Sequence, residues 1–226
     1  LLKDTGSKTA LHYAVARGHT ETALALIEKM RAESLLLQTK YGHTALHCAA
    51  GNGHTDDGHT MIALALIAKM SAEDLSLQNS EKKTALHLAV TYGHTEIAKA
   101  LIEKMRAEDL LLKDTDSKTA LHLVADNGHT EIALALIAKM SAEDLSLQNS
   151  EKKTALHVAI RNNHTDIAKA LLASMRPEDI SGLKDENNDT AQEIASCSLF
   201  RLINDRIRIQ LADSNQGPTH YKHQRK

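Results

Sequence analysis

Apolar positions along this chain fall into short blocks that recur. In the stretch from Thr84 to Ser117, the first block is Thr84-Ala85-Leu86-His87-Leu88-Ala89-Val90, a capping-type residue followed by good helix formers. Gly93-His94 ends it, as glycine does just past a helix. Thr95-Glu96 opens a second block: threonine caps, and an acid in the first turn suits the helix dipole. Ile97, Ala98, Ala100, Leu101, Ile102 and Met105 then recur at i, i+3, i+4 spacing, which buries one broad face. Arg106 to Leu110 predicts a further helical turn, and the polar run from Lys113 to Ser117 a connecting tip. The unit is two short antiparallel helices with an extended tip. Neither helix is long enough to be stable alone.

The same unit repeats. Thr-Ala-Leu-His begins at Thr9, Thr44, Thr84, Thr119 and Thr154, at steps of 35, 40, 35 and 35 residues. A period of that size predicts a linear stack in which stability is a sum of repeat and interface terms. A longer period lies above it. Residues 62–87 are identical to residues 132–157, and residues 26–33 recur at 101–108, so units alternate in type and point to duplication of a two-unit block. The 40-residue step comes from Gly53-His54-Thr55-Asp56-Asp57-Gly58-His59-Thr60, a five-residue insertion between two helices. It is expected to be a surface loop, open to a partner or able to bend the stack.

Thr-Ala-Leu-His-x-Ala followed by Gly-His-Thr-Glu-Ile-Ala resembles the ankyrin repeat, over roughly residues 1–200. The chain departs from the usual pattern in two ways. Alanine stands at 10, 45, 85, 120 and 155 where the family has proline, and longer segments such as Met70 to Leu75 replace Gly-Ala-Asp after the second helix. That accounts for the longer period and predicts either longer second helices or an added turn on the convex side. The resemblance implies an all-α repeat solenoid of stacked helix-turn-helix units with hairpin-like tips. It also implies that His12, His47, His87, His122 and His157 hydrogen-bond near the tip. His19, His94, His129 and His164, with His54 or His59 in the second unit, would bridge adjacent loops. Units are expected to begin near 8, 43, 83, 118, 153 and 189, within an array spanning 1–197. Residues 2–9 match residues 112–119 in all but one position, so part of an earlier repeat is expected upstream. A C-terminal capping helix is expected at 198–212 and a flexible basic tail at 213–226.

Composition narrows the chemistry. Aromatics are 2% of 226 residues and there is no Trp, so the core must be Leu, Ile, Ala, Val and Met. The formal net charge of -2 offers no overall field for nucleic acid or an anionic membrane. From Arg201 onward six Lys or Arg face two acids, a basic end to an otherwise acidic chain. Cys48 and Cys197 lack paired spacing and read as reduced core residues of an intracellular protein. The spacing of His43 and His47 could place two metal ligands on a helix face, yet no acid lies between them and no third ligand is evident. Cys48 lies beside His47, but adjacent helical residues point in different directions. No nucleophile elbow, phosphate loop or zinc-protease motif occurs. No catalytic residue, cofactor or metal is expected, and no nucleic-acid, membrane or small-molecule partner.

Candidate contact residues are those that vary between copies while the scaffold does not. They are Tyr13, Arg17, Tyr41, His43, Lys82, Thr91, Tyr92, Asp126 and Arg161, on first helices and tips. Tyr and Arg are favoured interface anchors, so Tyr41, Tyr92, Arg17 and Arg161 lead the set. The resemblance implies a scaffold that binds another protein through its concave face. The alternative is a targeting segment of a larger multidomain enzyme. Near-identical internal copies also look like those of effectors that intracellular bacteria deliver into host cells.

Overall fold

The computed structural model describes residues 2–52, 57–195, 200, 203–204 and 207–208. Each unit opens with a short first helix and continues into a longer second helix. Unit one holds α1 (Ala10–Ala16), α2 (Thr20–Lys29) and a short α3 (Ala32–Leu35). Unit two holds α4 (Ala45–Asn52) and α5 (Asp57–Lys69), and unit three α6 (Ala85–Tyr92) and α7 (Thr95–Lys104). Unit four holds α8 (Ala120–Asn127) and α9 (Thr130–Lys139). Unit five holds α10 (Ala155–Arg161), α11 (Thr165–Ser174) and α12 (Pro177–Gly182). The first helices pack in chain order, α1 on α4 on α6 on α8 on α10, and the second helices likewise, α2 on α5 on α7 on α9 on α11. Two layers result, each unit's own pair joining them. Among the described residues there is no strand, only an isolated bridge between Lys184 and Thr190.

The additional residues of the long unit form an added turn, not a longer second helix. α3 and α12 are such turns, and single 3-10 turns at Asp74–Ser76, Ala107–Leu111 and Asp144–Ser146 occupy the same place. Their reason is a plug. Leu35, Leu75, Leu110, Leu145 and Ile180 are each no more than 1% exposed. Burying one such side chain is worth about 1.5–3 kcal/mol, enough to hold a turn that would not form by itself. Units fasten the turn in two ways. Ser71 with Asp74, and Ser141 with Asp144, exchange side-chain and backbone hydrogen bonds. Arg106 with Asp109, and Arg176 with Asp179, use a guanidinium–carboxylate pair at 2.7 Å. The alternation follows the two-unit duplication.

The insertion in unit two lies partly outside the described residues, which omit 53–56. The remainder extends a helix: α5 begins at Asp57, three residues ahead of Thr60. His59, not His54, therefore stands where the other units place the histidine before their second helix, and it is buried. The proposed cap at 198–212 is described only at Phe200, Ile203, Asn204, Ile207 and Arg208, all helical. Ile203 is fully buried and Ile207 packs on the core. The proposed tail at 213–226 lies outside the described residues.

Candidate functional site

The tips are built by one polar side chain per unit. Asp4, Thr39, Asn79, Asp114, Asn149 and Asp185 each accept the backbone N–H groups two and four residues on, as Asn79 Oδ1 does from Glu81 and Lys83 at 2.9 Å. The turn this closes needs a left-handed residue three positions on. Ser7, Lys82, Ser117, Lys152 and Asn188 adopt it with φ between 55° and 68°, as does Gly42 at 75°. Tips then join one another. Lys40 N–H donates to Gly6 O, Ser80 to Tyr41 O, Thr115 to Glu81 O, Ser150 to Asp116 O and Glu186 to Glu151 O, at 2.9–3.2 Å. The backbone thus runs a hydrogen-bonded ladder along the tips.

A second ladder uses the repeated Thr and His. Thr44 N–H donates to His47 Nδ1, which leaves the imidazole proton on Nε2, and Nε2 donates to Lys83 O in the next unit at 3.0 Å. His12, His87 and His122 do the same to His43, Lys118 and Lys153 carbonyls. Burial pushes His47 and His122 down to about 4, since a charged imidazole would lose its hydration there. Thr190 ends the row with Glu193, whose carboxylate takes the histidine's part as a capping box. The loop histidines bridge units by packing. A Cβ on Gly93 would sit 2.5 Å from His129 Cε1, and one on Gly128 equally close to His164 Cε1. His164 Nε2 also donates to Asp126 O at 3.1 Å.

The candidate contact residues separate into three groups on this tip and first-helix side. Tyr13 (42% exposed) projects from α1, and its hydroxyl donates to Asp4 at 2.6 Å, while Lys8 Nζ lies 5.5 Å from the ring centre. Arg17 is the exposed C-cap of the same helix. The second group surrounds a recess of about 220 Å³ lined by His43, His47, Cys48, Gly51, Asn52, Leu88 and Tyr92. Tyr92 (43% exposed) forms a wall, its ring stacked 6.1 Å from His94. Thr91 beside it turns its hydroxyl back to His87 O at 2.7 Å. His43 accepts from Asn79 Nδ2 at 3.1 Å, an orientation fixed because Asn79 Oδ1 already takes two backbone donors. Burial holds the His43 imidazole below its usual range. Tyr41 (59% exposed) and Lys82 stand on neighbouring tips, Lys40 Nζ lying 4.8 Å over the Tyr41 ring.

The third group binds within the fold. Arg161 donates to Asp185 at 2.5 Å, and that carboxylate is fully buried. Asp126 accepts from Asn162 Nδ2 at 2.7 Å. Both line a recess of about 130 Å³ with Lys118, Glu151 and Lys153. Arg161 and Asp126 are thus engaged in joining units, a task that spacing in the chain did not reveal. Gly51, Leu88 and Cys48 line the recess but were not among the candidates, because what matters there is the space left by a missing side chain. Burial raises the Cys48 thiol to about 11, so at neutral pH it is a packing group and not a thiolate nucleophile. Among the described residues no three His, Cys, Asp or Glu side chains gather as metal ligands. Among the same residues no helix is long and apolar enough to cross a membrane.

A family model of ankyrin repeats, three copies long, matches residues 1–62, 41–114, 56–145 and 105–182. The chain belongs to the ankyrin-repeat family. No curated protein matches it significantly in sequence. Among solved structures, the array is similar to EF0377, an ankyrin repeat protein, at 23% identity and a TM-score of 0.69, covering 93% of this chain and 98% of that one. It is similar also to the ankyrin repeat domain of Bcl-3, a member of the IkappaB protein family, at 22% identity and a TM-score of 0.69, over 92% and 85% of the two chains. These likenesses are of fold. Ankyrin arrays are generally protein–protein interaction modules and typically non-catalytic.

Proposed function

We propose that this ankyrin array is a non-catalytic scaffold that binds a partner protein through the concave side made by its tips and first helices, within a cell. The observation that carries the reading is the contrast between a closed scaffold and an open face. The tip ladder and the inter-unit bonds of His12, His47, His87 and His122 satisfy their polar groups internally, while Tyr13, Tyr41 and Tyr92 stand 42–59% exposed on one side of units one to three. Tyrosines supply large contact area at low entropic cost, and they are common anchors of interfaces. The second-helix layer carries solvated charge such as the Lys99–Glu131 pair at 2.7 Å beside the exposed aliphatic side chains Met61, Leu64 and Leu134, and no exposed aromatic among the described residues. Tyr41, Tyr92, Tyr13, Arg17, His43, Lys82 and Thr91 are the contact residues we assign, with Asp126 and Arg161 shaping the neighbouring recess.

Photocrosslinking tests the reading. A benzophenone amino acid is placed at Tyr92 in one form of the chain and at Leu134, exposed on α9, in another. The expected result is a discrete cross-linked protein from the Tyr92 form only, reduced several-fold by Tyr41→Ala. Cross-linking from Leu134 alone, or from neither position, removes the assignment of this face.

A further inference from the structure

We propose that the recess beside Gly51 is a socket for one apolar side chain of an acidic peptide segment. The inference rests on the protein-binding reading above and names the chemistry of its partner. The recess exists because α4 carries glycine at a position filled by Ala16, Thr91, Asp126 and Arg161 in the other units. A Cβ there would meet only Leu88 Cδ1 and Tyr92 Cε2, both at 3.9 Å, so the space above it is open. Its floor is apolar: Leu88 and Cys48 are half-buried and pack on the core. The Cys48 thiol and the His43 and His47 imidazoles all favour their neutral forms, so the socket itself holds no charge. At about 220 Å³ it lies below the ~300–1,000 Å³ of small-molecule sites and suits one large side chain. Its Tyr92 wall is held in place by the His94 ring, so little ordering is needed on binding.

The surroundings select the segment that carries that side chain. Tips and first helices of units one to three, residues 3–17, 38–52 and 78–92, hold six Lys or Arg against only Asp4 and Glu81. The equivalent stretches farther along, 113–127, 148–162 and 184–195, hold six against eight acids. The second-helix stretches of units one to three, 18–37, 53–77 and 93–112, hold six against eleven. Cations are constant, and acids are what this face lacks. In a chain of net charge -2 the socket therefore lies in a locally positive field. Lys83 is matched by Glu81 at 2.7 Å, but the exposed Lys8 and Lys40 lie over tyrosine rings, which carry no opposite net charge. An extended segment with Asp or Glu on both sides of a Leu or Phe is complementary to both features. A nucleic acid would answer the charge but not the socket.

The test uses the full chain and an array of nine-residue peptides. The central residue is Leu or Ala and the flanks are Glu or Lys. Acid-flanked Leu peptides are expected to bind on the order of tenfold tighter than acid-flanked Ala or lysine-flanked Leu peptides. Gly51→Leu is expected to erase the Leu-over-Ala preference while leaving the circular dichroism and Tm at wild-type values or above. Lys8→Glu with Lys40→Glu is expected to erase the acid preference and keep the Leu preference. A flat array, a Leu preference that survives Gly51→Leu, or equal binding of a dT12 oligonucleotide overturns the proposal. A flat array with Tyr92 cross-linking intact overturns the socket alone. Loss of Tyr92 cross-linking overturns the broader reading of the face.

Discussion

His47 and His122 are neutral because they are buried. Each Nδ1 accepts from a threonine backbone N–H, and each Nε2–H spans to the carbonyl of the next unit. Burial depresses both from 6.5 to about 4, so the unfolded chain binds more protons between those values. Their contribution is complete above pH 6.5 and is lost as pH falls towards 4. Between pH 7 and pH 5 each should cost about 2 kcal/mol of stability. Urea unfolding at the two values checks this, with coupled proton uptake measured by potentiometry. Equal stability at pH 7 and 5 would contradict the depression of these two imidazoles by burial. Arg161 gives the second expectation at this scale. Asp185 is fully buried; desolvation raises its carboxyl, but backbone donors from Asp189 and Asn187, and then Arg161, hold it below the usual range. Arg161→Ala should lower stability by about 1.5–3 kcal/mol, the range for hydrogen bonds to charged groups. An unchanged Tm would show that Arg161 is free for a partner.

Helices in this array are set by what stands at their ends. Gly51 and Gly93 make the case, because one residue type has opposite roles. Gly51 lies inside α4 and its Cβ position is unobstructed. Gly51→Ala should raise stability by about 0.5–1 kcal/mol through reduced chain entropy. Gly93 caps α6 with φ 74°, and a Cβ there would strike the His129 ring. Gly93→Ala should be destabilising by more than 1 kcal/mol. Thermal melts of the two variants, side by side, should move in opposite directions. The closing lysines act on neighbouring ends too: Lys104 Nζ reaches Ala68 O at 2.9 Å, answering an orphan carbonyl of α5.

At the scale of the molecule, stability is the sum of units that lean on their neighbours. Ile203 is buried and Ile207 packs on the core, which supports the proposed cap. We therefore expect truncation after residue 213 to leave the Tm nearly unchanged, and truncation after 197 to lower it markedly. Scanning calorimetry of the two truncated chains distinguishes them; an equal Tm would mean that the cap lies elsewhere. The charge pattern also belongs to this scale. No single unit shows it, and it emerges only when three tips and three first helices share a side.

The period, the cap residues and the i, i+3, i+4 spacing were enough to predict the helices, because a threonine cap, a helix-ending glycine and an apolar stripe act within a few residues. The long unit was visible too, but whether its extra residues would lengthen a helix or add a turn was not. That choice depended on Leu75 and its equivalents becoming buried against the core. The candidate site was legible only as far as variation went. Tyr41 and Tyr92 are exposed where the pattern put them, whereas Arg161 and Asp126 are held by partners 24 and 36 residues distant in the chain. A sequence states which side chains are present and at what local interval. Only tertiary packing decides which of them are already bound, and where an absent side chain, as at Gly51, leaves room for someone else's.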